Sequence, residues 1–297
     1  MKHKTHTAPA KADRPNLFRR MFRKIRENRI AFAVYCVLCL ITIAVIVVSA
    51  IQQNWSGCFN GVLTLLLFFL PAFLEDKLNI RLSAALEIIT MLFVFAAEIL
   101  GEVGRYYTRF PFWVNLLHCL NGFLFAAFGF ALVEICNRSK KITFQLSPFF
   151  LALVACCFSL SIGVFWEFIE FFTDLLTRSD MQKDTFHTLI SSGKFSADGQ
   201  TPIIIRNITE TVITTADGQS YTVNGYLDIG LFDTMKDLMV DFIGAFLFSV
   251  IGYFHLKFSG RSRIAKALIP EVPSVEEHGT SELTEPQAQE GTAEQSK

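Results

Sequence analysis

Three carboxylic acids lie at the end of a run of about 20 apolar residues that begins at Pro148. The stretch FWEFIEFFTDLL, residues 165–176, contains Glu167, Glu170 and Asp174. A spacing of three or four residues places side chains on one face of a helix. An apolar run of this length is typical of a helix that crosses a bilayer. These acids are therefore candidates for chemistry inside a membrane.

Similar polar stripes occur on three other apolar segments. They contain Glu98 and Glu102 in AAEILGEVGRYY, Asn115, His118 and Asn121 in WVNLLHCLNG, and Asp233, Asp237 and Asp241 in FDTMKDLMVDFIGA. A carboxylate near the bilayer centre costs on the order of 3 kcal/mol on insertion scales, so acids facing the bundle interior usually pair with other polar groups. The sequence therefore predicts that the stripes face one another in a common pocket, where they share protons, a cation or the imidazole.

Carboxylates with one imidazole suit two kinds of chemistry, because hard cations prefer oxygen ligands and acid–base catalysis uses carboxyl and imidazole groups. The predicted cation ligands are Glu98, Asp237 and Asp241. The predicted acid–base residues are Glu167, Glu170 and His118. Two other interpretations stay open, since acids near a helix end can be solvated by headgroups or can form a structural network between helices. No Ser/His or Cys/His nucleophile arrangement is evident in the sequence.

Six apolar segments must position these residues. Of the 297 residues, 52% are hydrophobic and 18% are charged. The apolar residues occur in blocks of about 20, which matches the hydrocarbon thickness of a bilayer at 1.5 Å per helical residue. The predicted spans are Ile30–Gln52, Cys58–Phe73, Ala84–Leu100, Trp113–Cys136, Pro148–Leu176 and Met235–Phe258. The predicted fold class is an all-α, polytopic membrane helical bundle with a small extracytoplasmic β-hairpin insertion.

The distribution of basic residues predicts the orientation of the chain, although the formal net charge is zero. The amino-terminal tail is strongly basic, and loops with Lys and Arg follow the second, fourth and sixth spans. Basic residues next to spans tend to stay in the cytoplasm. Both termini of this cell-membrane protein are therefore predicted to be cytoplasmic, which places all four polar stripes in the outer half of the bilayer.

The chain divides into a membrane domain, two tails and one long loop. The predicted parts are a basic cytoplasmic tail at 1–29, the membrane domain at 30–258, an extracytoplasmic loop inserted in it at 178–232, and a disordered cytoplasmic tail at 259–297. The last tail is predicted to be disordered because it is polar and has few apolar residues. In the loop, MQKDTFHTLISS predicts a short interfacial helix. The following TPIIIRNITETVITTADGQSYTVNG predicts a β-hairpin that turns at Asp217-Gly218 and caps the membrane domain.

Two smaller features concern packing. Gly244 and Ala245 predict a close contact between helices. Tyr106, Tyr107 and Trp113 fit the aromatic belt of a membrane interface, whereas Trp166 lies deeper in its span.

The motifs resemble those of one bacterial family. WEFIEFF at the end of one span and DIGLFDTMKDLMVDFIGA at the start of the next are similar to the YjdF-like inner-membrane proteins, as is WVNLLHCLNG upstream. The likeness covers roughly residues 85–250 and extends distantly to the VanZ-like proteins. It implies a shared pattern at Glu98, His118, Gly122, Glu167, Glu170, Asp233, Asp237 and Gly244. The long hairpin loop departs from the short loop that the family implies, and the resemblance implies no particular activity.

Three functions fit these observations. The first is a multi-pass plasma-membrane protein with an acidic and histidine-containing pocket, open to the outer leaflet, for a divalent cation and a lipid or cell-envelope headgroup, with or without catalysis. The second is a proton- or cation-coupled transporter, which usually needs polar groups in both halves of the membrane. The third is a non-catalytic envelope-stress or resistance factor. The expected partner is the lipid bilayer with a lipid or lipid-linked substrate, and no nucleic acid is expected; the sequence assigns neither a metal nor an oligomeric state.

Overall fold

The computed structural model describes residues 29–78, 80–138, 146–258 and 263–271. Within these ranges six helices are long and apolar enough to cross a membrane, which confirms the predicted helical bundle. The spans are Arg29–Ile51, Trp55–Leu78, Ala84–Val103, Trp113–Asn137, Pro148–Thr177 and Leu231–Lys257. Most of the predicted basic tail, the basic residues at 140–141 and the predicted disordered tail from residue 272 onward lie outside the described residues.

The structure defines nine α-helices and one π-helical segment in the described part of the chain. They are α1 (Arg29–Ile51), α2 (Trp55–Leu67), α3 (Leu70–Leu78), α4 (Ala84–Phe95), the π-helical segment Ala96–Val103, α5 (Tyr106–Arg109), α6 (Trp113–Arg138), α7 (Pro148–Thr177), α8 (Leu231–Lys257) and α9 (Arg263–Leu268). Helix α7 begins with a side-chain cap, because the Ser147 hydroxyl accepts the Phe150 N–H at 3.2 Å and Pro148 occupies the first helical position.

The second and third spans are irregular, where the sequence predicted continuous helices. Pro71 cannot donate a backbone hydrogen bond, and its ring clashes with the carbonyl group of Leu67, so the second span breaks between α2 and α3. The third span changes from α-helix to π-helix at Ala96, two residues before Glu98. Short π-helical segments occur frequently at functional sites. The unusual backbone therefore coincides with one of the predicted site residues.

The spans pack in two groups. Helices α6, α7 and α8 pack against one another, whereas α1, α2 and the third span form the second group. The third span also contacts α6 and thereby joins the groups. The larger apolar core lies mainly in the first group, where Leu124, Phe130, Leu151 and Phe248 are among its buried members. The polar stripes of α6, α7 and α8 lie nearer the end of the bundle where the long loop is inserted, which we call the insertion end.

Two glycines bring α6 and α8 into backbone contact. A Cβ atom at Gly244 would lie 1.9 Å from the carbonyl oxygen of Cys119, and a Cβ atom at Gly122 would lie 2.0 Å from the carbonyl oxygen of Asp241. Neither position can hold a side chain unless the helices move apart. The predicted close contact at Gly244 is confirmed, and it places His118 of α6 directly opposite Asp241 of α8.

The insertion consists of three antiparallel strand pairs. Its strands are β1 (Thr185–His187), β2 (Leu189–Ser192), β3 (Ile203–Arg206), β4 (Thr211–Thr214), β5 (Ser220–Val223) and β6 (Tyr226–Asp228), paired as β1–β6, β2–β3 and β4–β5. The predicted turn at Asp217-Gly218 is confirmed between β4 and β5, but the hairpin is shorter than predicted because β3 pairs with β2. The predicted interfacial helix in MQKDTFHTLISS is wrong, since β1 and β2 occupy that stretch and find partners far along the chain.

The carboxyl-terminal tail begins with an ordered segment. Helix α9 packs against α4 and α8, and the Ser83 hydroxyl donates to the carbonyl group of Ala267. Arg81 and Glu271 exchange two backbone hydrogen bonds, each of 2.8 Å. The tail predicted as disordered from residue 259 is therefore structured over 263–271, where it joins the two helix groups at the end of the bundle opposite the insertion end.

The glycine contact predicts that Gly244→Ala is strongly destabilising. The added methyl group would overlap the backbone of α6, and overpacking of this kind costs roughly 1–3 kcal/mol. We expect a clear fall in the melting temperature of the purified protein in detergent. Gly61→Ala is the matched control, because the atoms nearest its Cβ atom would belong to the Ile46 side chain and not to the backbone of a neighbouring helix. Equal melting temperatures for the two variants would contradict the close approach of α6 and α8.

Candidate functional site

His118 lies between two aspartates of α8. Its Nε2 atom is 3.4 Å from Oδ2 of Asp237, and its Nδ1 atom is 3.4 Å from Oδ2 of Asp241. Asp241 is ten residues from the start of α8, which corresponds to a depth of about 15 Å along the helix. The spacing of four residues in α8 therefore lets one helix face contact both sides of a single imidazole ring.

Asp241 is enclosed by three spans. Its side chain is 1% exposed, and its Oδ1 atom accepts a hydrogen bond of 3.3 Å from the Asn121 amide. Gly163 of α7 provides space for the carboxylate, because a Cβ atom there would lie 2.6 Å from Oδ2 of Asp241. A carboxylate held in this way orients the imidazole, since it favours the tautomer in which Nδ1 carries the hydrogen. The Nε2 atom of His118 faces Asp237 on the other side of the ring.

Glu167 of α7 is buried and has no ordinary hydrogen-bond partner. It is 4% exposed, and neither carboxylate oxygen accepts a hydrogen bond of normal geometry from the described residues. One oxygen of Glu167, one oxygen of Asp237 and one ring nitrogen of His118 all lie within 4.8 Å of one another. Burying an unpaired carboxylate costs on the order of several kcal/mol. This arrangement therefore points to a proton or a cation that neutralises the site.

Glu170 lies one turn closer to the insertion end of α7. Its Oε1 atom accepts a hydrogen bond of 2.8 Å from the indole N–H of Trp166. The Trp166 side chain is 43% exposed on the apolar outer surface of α7, whereas Glu170 is buried. Trp166 therefore fixes one oxygen of Glu170 and connects the polar interior with the surface that faces lipid.

The third span contributes a separate group of side chains. Tyr107 packs on Gly101, where a Cβ atom would lie 2.5 Å from the tyrosine ring. Burial raises the pKa of Tyr107, and the nearby carboxylates of Glu102, Glu98 and Glu170 raise this pKa further. Tyr107 is therefore a neutral donor that lies among acids of the third and fifth spans, and not only an interfacial aromatic residue as the sequence suggested.

Charged residues surround the site at the insertion end. The Nζ atom of Lys236 lies 3.5 Å from Oδ1 of Asp233 and 4.0 Å from Oδ1 of Asp237. Asp233 is only 6% exposed, and its Oδ2 atom accepts the backbone N–H of Lys183 at 2.8 Å. Headgroup solvation, one of the two interpretations open for Asp233 in the sequence, therefore does not describe its environment.

The structure brings together most of the predicted site residues, but not all. His118, Glu167 and Asp237 form the group with ligand spacing. Asp241 lies on the other side of the imidazole, although the sequence assigned it as a cation ligand. Glu98 is half-buried near Glu102 and is not part of that group. The sequence did not predict three residues of the site. Gly163 has no polar side chain, and Gln182 and Thr234 do not belong to any of the acidic stripes.

The raised pKa of Tyr107 gives a prediction that depends on pH. An ordinary tyrosine ionises near pH 10, so the unfolded chain releases this proton first. The stabilising contribution of Tyr107 is therefore complete below about pH 10 and is lost as the pH rises toward the higher folded-state value. The difference in tyrosinate absorbance between the wild-type protein and Tyr107→Phe should be absent near pH 10. A difference of about half a tyrosinate at that pH, which an ordinary tyrosine would give, would show that the phenol is not buried among acids.

Comparison with known proteins identifies the family but no characterised relative. The family described as "Predicted membrane protein (DUF2238)" matches residues 34–258, which include most of the first span, the other five spans and the whole insertion. No curated protein and no solved structure matches the chain. The match agrees with the observed spans and covers every residue of the candidate site. The chain therefore belongs to the DUF2238 family of predicted membrane proteins.

Proposed function

We propose that this membrane protein binds a divalent cation at His118, Glu167 and Asp237. The observation that supports this most directly is the buried Glu167 carboxylate, which has no ordinary hydrogen-bond partner and lies within 4.8 Å of ligand atoms from two other spans. A cation would remove the unfavourable charge that burial creates at this position. The same cation would also bind the carboxylate of Asp237, whose Oδ1 atom accepts no hydrogen bond from the described residues and has the Lys236 ammonium 4.0 Å away.

The ligand types favour a first-row transition ion. One imidazole nitrogen and two carboxylates form a mixed nitrogen and oxygen set, which suits Mn²⁺ or Zn²⁺ better than an all-oxygen calcium site. Asp241 and Asn121 support this assignment, because metal-binding histidines usually donate their second N–H to a carboxylate. Both contacts of His118 with aspartates measure 3.4 Å, so neither aspartate forms a charge-assisted hydrogen bond of the usual length of about 2.8 Å with the imidazole.

The site supports chemistry on the polar headgroup of a lipid or lipid-linked molecule. A bound cation would polarise a phosphoryl or carbonyl oxygen of such a substrate. Glu170, held by Trp166, is the acid–base residue that we assign, and Tyr107 is a neutral hydrogen-bond donor near it. Because Trp166 lies on the apolar outer surface of α7, a lipid can reach Glu170 sideways from the bilayer.

We further propose that the insertion end faces the outside of the cell membrane and that both termini are cytoplasmic. Lys77, Arg81, Lys257 and Lys266 lie at the opposite end of the bundle, where the first span begins at Arg29, and the sequence before Arg29 is strongly basic. Basic residues of this kind remain in the cytoplasm. The resemblance of the site motifs to the YjdF-like proteins, and more distantly to the VanZ-like proteins, agrees with a role in the cell envelope.

A proton- or cation-coupled transporter is the second candidate. Acids also occur in the opposite half, where Glu75 and Glu87 border a small cavity between α1, α3 and α4. That cavity lies in the other helix group, and an apolar core that includes Leu86, Phe130 and Phe248 occupies the space toward the site. A transport pathway would have to open through this core, so the structure favours a site that is accessible from one side.

The cation site predicts the behaviour of Glu167→Gln. In calorimetric titrations of the full-length protein with Mn²⁺ and Zn²⁺, this variant should lose more than about 100-fold in affinity, because a ligand loss exceeds the 10–100-fold effect of an outer partner. Without cation it should melt no lower than the wild-type protein, since a buried unpaired charge has been removed. Glu210→Gln, which changes an exposed acid of the insertion, is the matched control and should bind like the wild-type protein.

The same variants separate the alternatives. A purely structural polar network predicts that Glu167→Gln lowers the melting temperature without cation and that the wild-type protein binds no cation. A transporter predicts proton- or cation-dependent flux in proteoliposomes that Asp237→Asn abolishes. Binding of equal affinity in the wild-type protein and Glu167→Gln would overturn the proposed cation site.

A further inference from the structure

The base of the insertion folds back over the end of α7. We call residues 178–183 the strap. Asp174 in the last turn of α7 holds it, because its carboxylate accepts the Ser179 hydroxyl at 2.7 Å, the Met181 N–H at 2.6 Å and the Gln182 N–H at 2.8 Å. One side chain thus fixes three successive parts of the strap and directs Gln182 toward α8.

The strap also contacts the first turn of α8. The Gln182 Nε2 atom donates to the Thr234 hydroxyl at 2.6 Å, and the Lys183 N–H donates to Asp233 at 2.8 Å. Gly230, with a φ of +83°, provides the space for Gln182, because a Cβ atom there would lie 2.8 Å from the Gln182 Cβ atom. The strap is therefore fixed at both ends, and it bridges the two helices that supply Glu167 and Asp237.

Gln182 and Thr234 lie directly above the acidic cluster. Thr234 is three residues before Asp237 and therefore occupies the same face of α8, one turn nearer the insertion end. Both side chains are close enough to interact with the Glu167 carboxylate, although neither forms a hydrogen bond of ordinary geometry with it. They are the neutral polar groups that close the site between the carboxylates and the aqueous phase.

We propose that Gln182 and Thr234 complete the cation site and make the strap part of it. Amide and hydroxyl oxygens are suitable ligands for hard divalent cations. Rotation of the Gln182 carboxamide exchanges its nitrogen and oxygen atoms without moving the strap. In the structure the nitrogen donates to the Thr234 hydroxyl, and the rotated carboxamide would direct its oxygen toward a bound cation.

This inference rests on the proposed function and makes it more specific. Gln182 and Thr234 would add two oxygen ligands to the three ligand atoms of His118, Glu167 and Asp237. Five protein donors and one open position form a six-coordinate site, which suits Mn²⁺ better than tetrahedral Zn²⁺. Since the strap belongs to the insertion, a bound cation would also hold the base of the insertion against the membrane helices.

The experiment is a titration of the full-length protein in nanodiscs with Mn²⁺. Calorimetry measures the affinity, and the melting temperature is recorded with and without Mn²⁺. Gln182→Ala should weaken Mn²⁺ binding by about 10-fold or more, as loss of a supporting metal partner does. Gln200→Ala is the matched control, because Gln200 is an exposed residue of the same insertion and lies outside the strap. Gln182→Glu should lower the melting temperature without Mn²⁺, through repulsion of Glu167, and should increase the rise in melting temperature that Mn²⁺ produces.

The outcomes distinguish this inference from the proposed cation site. If Glu167→Gln loses Mn²⁺ binding while Gln182→Ala binds like Gln200→Ala, the cation site stands and the role of the strap is overturned. If neither the wild-type protein nor any variant binds Mn²⁺ or Zn²⁺, the cation site itself fails. A Gln182→Glu variant that melts lower but shows the wild-type response to Mn²⁺ would assign Gln182 a structural role only.

Discussion

The structure depends on the burial of several carboxylates beside one imidazole in a low-dielectric environment. His118 lies against both Asp237 and Asp241, while Glu167 completes the cluster from a third span. Charges of like sign repel at these distances, and each has lost most of its hydration. Helices α6, α7 and α8 therefore hold the acids in place by apolar packing, and Lys236 supplies positive charge next to Asp233 and Asp237. In our proposal a cation balances the remaining charge. The close glycine contacts and the strap can both be understood as consequences of this constraint.

The two helix groups have different relations to the candidate site. The group formed by α6, α7 and α8 carries the ligand atoms, the orienting residues and the larger apolar core. The other group contributes only the π-helical segment with Glu98, and Tyr107 next to it. Because the second group contributes so little, the site borders the outer surface of α7 on one side, which we call its lateral side. The strap covers the site at the insertion end. In our proposal, a lipid headgroup would meet Glu170, Trp166 and Tyr107 at the lateral side, and the cation would bind deeper beside His118.

Much of the fold could be predicted because membrane segments are encoded locally. Apolar length predicts each span, and the small residue Gly244 predicts a helix contact, since both depend on composition within one segment. The convergence of His118, Asp237 and Glu167 followed from helical spacing combined with depth.

The neighbours of the third span could not be predicted in this way, because its periodicity does not say which helices it packs against. The sequence therefore assigned Glu98 to the cation ligands, whereas the group of ligand atoms within 4.8 Å of one another consists of His118, Glu167 and Asp237. Strands β1 and β2 were mistaken for a helix because their partners, β6 and β3, are distant in the sequence.

The glycine contacts between α6 and α8 also limit how the molecule can move. Gly122 meets the backbone of Asp241 itself, and Gly244 meets the backbone beside His118. Sliding or rotation of one helix against the other would force a carbonyl oxygen into a space that has no room for an additional atom. Helices α6 and α8 therefore form a rigid pair, which keeps His118 at a constant distance from Asp237 and Asp241. A conformational change that admits or releases a ligand must therefore occur in the parts of the protein around this helix pair.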